Sequence, residues 1–185
     1  MGYIETEENI VAQATADGIA SIDVIRISGP SLKGVYKKLT LEDLAPKPNY
    51  INKKYIYSPK NRQRIDVCMV SYFKNPKSFT GQDVIEISCH GGGLIGKKII
   101  ESLIQSNYAR IALPGEFLFR AYMNNKIDLI QAESINQLIL SDSLEEHSRN
   151  LENVDGKLSK KIKGIKADLL RLLTIIEHEL DFDES

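Results

Sequence analysis

At Leu113-Pro114-Gly115 the hydrophobic period of the chain changes. Before that point β-branched residues alternate in short runs, the period-two pattern of half-buried strands. After it apolar residues recur three or four apart, the period of an amphipathic helix. One chain with both periods, segregated in sequence, predicts an α+β region over 1–114 followed by helices over 115–185. With 185 residues and 42% hydrophobic side chains, such a chain can build a sizeable core without disulfides or a structural metal.

Within the first region, 10–14 and 22–28 read as strands joined across Ala16-Asp17-Gly18, and Gly29-Pro30-Ser31 opens a helix to about Leu39. Segments 50–57 and 65–73 read as paired strands, 84–89 as a further strand, and 92–105 as a helix. Beyond Pro114, two short helices are predicted with a break at Asn124-Asn125, and Ser141-Asp142-Ser143 can cap a third. The apolar spacing from Leu144 to Leu180 predicts that third helix as one continuous rod of about 40 residues, ~60 Å long. A rod of that kind needs partners along its length, so the sequence reads as the N-terminal piece of something larger or half of an obligate assembly.

Charge and cysteine content exclude several classes. Residues 1–113 carry 15 basic and 11 acidic residues and 114–185 carry 9 and 14, so bulk electrostatics alone does not mark a nucleic-acid binder. No apolar run approaches the ~18 residues of a membrane span, and the expectation is a soluble protein. Two cysteines, Cys68 and Cys89, point to a reducing compartment. Gly2 with Thr6 fits a loose acylation pattern, but the glutamates at 5, 7 and 8 make chance the simpler explanation.

Two nucleotide-binding strings have the wrong context. Gly91-Gly92-Gly93-Leu94-Ile95-Gly96-Lys97-Lys98 copies a phosphate-binding loop, yet Lys98 stands where a hydroxyl must coordinate Mg²⁺. Asn125-Lys126-Ile127-Asp128 copies a guanine-reading string but interrupts helices instead of following a strand. Cys89-His90 is a poor nucleophile–base pair because strand neighbours point to opposite faces. His147 and His178 have no companions at metal-ligand spacing.

The informative residues are two charges inside apolar strands: Arg26 in Val24-Ile25-Arg26-Ile27, and Glu86 in Val84-Ile85-Glu86-Ile87. A charge there must be paired or held for a ligand, so these are either a structural Arg26–Glu86 salt bridge or two arms of a polar pocket. Beside them His90-Gly91-Gly92-Gly93 enters a helix with backbone N–H groups that could receive an anion.

Five blocks carry a family resemblance: Ile10 to Thr15; Ile25-Arg26-Ile27-Ser28-Gly29; Ser78-Phe79-Thr80-Gly81-Gln82-Asp83 through Glu86 with His90-Gly91-Gly92; Pro114-Gly115-Glu116-Phe117 with Arg120-Ala121; and Asn125-Lys126-Ile127-Asp128-Leu129 with Gln131-Ala132-Glu133. In this order and spacing the chain resembles the N-terminal region of the tRNA-modification GTPase MnmE (TrmE) family. The resemblance implies a homodimerising, mixed-sheet α+β domain similar to folate-binding aminomethyltransferases, followed by the first helices of an all-α domain. It implies that 5-formyl-tetrahydrofolate or a related tetrahydrofolate is held by Arg26, Glu86 and Lys126, and that the setting is cytoplasmic, with no membrane. In the full-length family GTP, Mg²⁺ and K⁺ act in a GTPase domain, and an MnmG-type flavoprotein and tRNA complete the wobble-uridine chemistry. This chain alone is therefore expected neither to hydrolyse GTP nor to finish that chemistry. Ala16-Asp17-Gly18-Ile19-Ala20-Ser21 replaces a family Pro-Pro-Gly-Arg-Gly-Gly loop, Leu113 replaces an Arg, and Cys89 replaces a Gly. The competing expectation is a dimerising scaffold without folate binding.

Overall fold

The computed structural model describes residues 6–43 and 46–182; Gly2 and the last three residues lie outside that range. It divides into two compact units, residues 1–126 and 127–185. In the first unit β1 (Ile10–Gln13), β2 (Ile22–Gly29), β3 (Ile51–Tyr57), β4 (Arg64–Phe73), β5 (Asp83–His90) and β6 (Arg110–Ile111) form one sheet in the order β3-β4-β5-β2-β1-β6. All neighbours are antiparallel except β1 and β6, which run parallel. The α+β, mixed-sheet expectation holds. The two-residue β6 is an addition, too short to show a period of its own.

α1 (Lys33–Thr40) and α2 (Leu94–Gln105) supply the apolar cover of the sheet. Alternate residues Ile25 and Ile27 of β2, Ile85 and Ile87 of β5, and Val70 and Tyr72 of β4 meet Leu32, Leu39, Ile99 and Leu103 in one core. The pleat sends the intervening residues to the other face. Across that face register aligns Ile51, Ser71, Glu86, Arg26 and Ala12 in one row. The adjoining positions Ile22, Tyr55 and Met69 are exposed there.

The first unit ends twelve residues beyond the expected boundary at 114, because α3 (Glu116–Met123) belongs with the sheet. Its Arg120 and Glu116 are fully buried, and Arg120 donates to the carbonyl of Glu8 at 2.7 Å and to Gln82 Oε1 at 2.9 Å. The second unit contains α4 (Leu129–Leu140), α5 (Leu144–Val154) and α6 (Lys157–Phe182). Here the continuous 144–180 rod is corrected: it is two helices, broken at Asp155-Gly156, where Gly156 takes φ +82°. Apolar spacing runs unbroken through this point although most of the residues that carry it, from Leu158 to Ile176, are exposed, and a side-chain pattern cannot register a backbone break supplied by one glycine. Ser143 caps α5 as expected, accepting from Glu146 N at 3.2 Å.

Candidate functional site

Arg26 and Glu86 face each other across β2 and β5. Arg26 Nε donates to Glu86 Oε1 at 2.8 Å, and Nη2 lies 2.7 Å from the same oxygen. Among the described residues Glu86 Oε2 accepts no hydrogen bond. The side chains stay 31% and 26% accessible, so this is a pair at the edge of solvent and not an ion pair sealed in a core. Two rings wall the guanidinium: the Phe79 and Phe117 centroids lie 5.7 and 5.8 Å from Arg26 Cζ. At that separation each ring face attracts the cation. Sequence reasoning did not single out either ring, although both belong to the quoted blocks, because ring and charge are separated by about fifty residues or more in sequence.

Phe79 sits on the loop between β4 and β5, and the same loop positions Lys126. Lys126 Nζ donates to the Pro76 carbonyl at 3.0 Å. Gly81, at φ +77°, lets the segment after α3 close in: a Cβ there would stand 2.8 Å from Asn124 Cβ and 3.2 Å from Lys126 Cγ. Asn124 Nδ2 adds a 2.7 Å bond to the Thr80 carbonyl. One loop thus carries one of the two rings at Arg26 and the anchor of Lys126, while no contact joins Lys126 directly to Arg26 or Glu86 among the described residues.

The loop is itself braced. Thr80 Oγ1 and Ser28 Oγ lie 2.7 Å apart in the interior, and Gln82 Nε2 donates to the Thr6 carbonyl at 2.7 Å. Glu116 accepts from Arg110 at 2.7 Å on both oxygens, from Arg120 Nη2 at 2.9 Å and from Leu113 N at 2.8 Å. Burial alone would push its carboxyl up, but the Arg110, Leu113 and Arg120 donors outweigh that and hold it at about 2. Leu113 serves here through its backbone, so the departure from Arg at that position leaves the Glu116 network complete.

The remaining candidates have structural roles. The glycine-rich entry to α2 is filled from within: Gly93 N donates to Asp23 Oδ2 at 3.1 Å, and Asp23 is fully buried. Gly91 has no room for a side chain, since a Cβ would stand 2.1 Å from the Ala20 carbonyl oxygen. Asp128 caps α4 in a reciprocal box with Gln131, at 3.0 Å each way, which accounts for the guanine-like string. Cys89 is buried, and burial pushes its thiol up to about 11. Exposed His90 instead bonds Asp66 at 2.8 Å. Among the described residues no group of three or more His, Cys, Asp or Glu side chains is placed to hold a metal, and no helix is long and apolar enough to cross a membrane.

Residues 9–126 match the family described as GTP-binding protein TrmE N-terminus. The chain belongs to that family. The match ends on Lys126, the residue that closes the sheet unit, so TrmE-family likeness and compactness agree on one boundary. Curated relatives extend the likeness through the helices. A "tRNA modification GTPase MnmE" of Prochlorococcus marinus (strain MIT 9215) is 40% identical over 186 residues, covering 98% of this chain and 40% of the relative. One from Fervidobacterium nodosum is 41% identical, covering 96% and 39%, and one from Rickettsia akari 38%, covering 96% and 40%. The chain therefore spans about 40% of the length of the curated relatives it matches.

Proposed function

We propose that this TrmE-family chain acts in tRNA modification in the cytoplasm, binding formyl-tetrahydrofolate as a one-carbon donor and homodimerising. The observation that carries the reading is the partly exposed Arg26–Glu86 pair walled by Phe79 and Phe117, with one carboxylate oxygen left open. An open carboxylate oxygen suits the N–H edge of a pterin, and cations suit its carbonyl and its carboxylate tail. Flat ring faces suit a planar heterocycle. Lys126, after α3, supplies the second cation and is anchored to the loop that carries Phe79. A bound folate would supply the one-carbon unit; the chain's residues bind and orient it. GTP with Mg²⁺ and K⁺, an MnmG-type flavoprotein and the tRNA reaction belong to the full-length assembly in this reading.

The test is calorimetric titration of 5-formyl-tetrahydrofolate into the chain, with Glu86→Ala and Lys126→Ala beside it. Saturable binding lost in both variants is the expected result. The mutual contact of Arg26 and Glu86 at 2.7–2.8 Å favours a second reading, a dimerising scaffold without folate binding. Absence of binding by a chain verified to be dimeric would establish that reading instead.

A further inference from the structure

On the first unit, away from the Arg26–Glu86 face, cations converge where the end of α1 meets the β3–β4 turn. A cavity of about 430 Å³ is lined by Lys37, Lys38, Lys60 and Arg62 with one carboxylate, Asp43, which is paired to Lys37. An adjoining cavity of about 310 Å³ shares Lys60 and adds Lys98 of α2, with one carboxylate, Glu101, among Ser58, Asn61 and Gln63. Lys37 and Lys38 have a local reason to be there, since cations complement the C-terminal end of a helix. Lys98 has Glu101 three residues on along α2, but Lys60 and Arg62 have no such reason. Arg62 is placed at a backbone cost: it holds φ +58°, a conformation suited to Gly or Asn, with its N–H donating to the Ser58 carbonyl at 2.8 Å. An exposed arginine in that conformation fills no core, so its use lies in what it meets outside.

We propose that this groove is a docking surface for an RNA phosphate backbone. Lysine and arginine heads neutralise successive phosphates, and Ser, Asn and Gln donors beside them bond phosphate and sugar oxygens. Leu41 is the one apolar residue at the cationic cavity apart from Pro59; a membrane-binding surface would pair its cations with a broad apolar face. The choice of tRNA as the RNA rests on the function proposed above, whereas the phosphate chemistry rests on the groove alone.

The experiment is fluorescence anisotropy of a labelled tRNA transcript against the full 185-residue chain at several salt concentrations. Expected is salt-dependent binding that Lys60→Glu/Arg62→Glu weakens at least about tenfold, with the log–log salt slope reduced by about 2. Arg62→Gly, which relieves the backbone, should raise the melting temperature while still weakening binding. Glu86→Ala should bind tRNA as the unaltered chain does, and the double variant should titrate folate normally, so failure of the folate reading leaves this one standing. Unchanged tRNA affinity in the double variant overturns the proposal. So does absence of tRNA binding by the unaltered chain, or charge-dependent binding only to vesicles containing phosphatidylserine.

Discussion

Replacing Glu116 by glutamine keeps the side chain's shape and removes the charge that Arg110 and Arg120 share. Because Glu116 is fully buried, the change leaves a guanidinium without its counter-charge and should cost about 3–5 kcal/mol, read as a lower urea midpoint. The same residue contributes to the acid response of the first unit, beside Asp66, where hydrogen bonds led by those with His90 outweigh burial and also lower the carboxyl. The Glu116 carboxyl is held near 2 in the fold against 4.5 ordinarily, so its stabilisation is complete above about pH 4.5 and is lost as pH falls through 2. That difference is worth roughly 3 kcal/mol. Urea unfolding between pH 6 and 2 should show this loss in the unaltered chain and a flatter profile in Glu116→Gln. Glu86→Ala should behave differently, because water already reaches the Arg26–Glu86 pair: a melting temperature within a few degrees of normal is expected, by scanning calorimetry, alongside the loss of folate heat. A large fall would mark the pair as structural.

Gly156 decides the layout of the helical unit. Its φ of +82° lies outside the range other residues favour, and a Cβ there would meet only Gln131 Nε2 at 3.6 Å, an ordinary contact. Gly156→Ala should therefore cost about 1 kcal/mol through backbone strain alone, without raising helical ellipticity. Had the stretch been one rod, the same substitution would raise both helicity and stability. This is the element where sequence reading failed, and its reason is general: apolar period reports which face of a helix is apolar and is blind to a turn that preserves the spacing. Strands β1 to β5 were legible because alternation is a property of each strand taken alone. Arg26 and Glu86 were legible as charges out of place. Phe79 and Phe117 were not, since their place beside Arg26 depends on segments that only the folded sheet brings together; the Glu116–Arg110 contact, six residues apart, was not because it crosses the Pro114-Gly115 turn and follows neither helix nor strand period.

For the molecule as a whole, the sheet ends in β3 on one side and the two-residue β6 on the other. Open edges of that kind, together with the family resemblance, motivate the expectation of a homodimer through the first unit. Sedimentation at tens of micromolar should return twice the monomer mass, and a monomeric mass would count against it. The buried Asp23 has a consequence for how the chain meets small anions. Its carboxylate is a ligand tethered to its own receptor, present at an effective concentration that a free phosphate in millimolar buffer cannot match. With the Lys60→Glu/Arg62→Glu pair removing the outer cationic groove, melting curves recorded across a phosphate or ATP series should accordingly superimpose. Asp23→Ala, by emptying the entry to α2, should turn an inert loop into one whose stability rises with added phosphate.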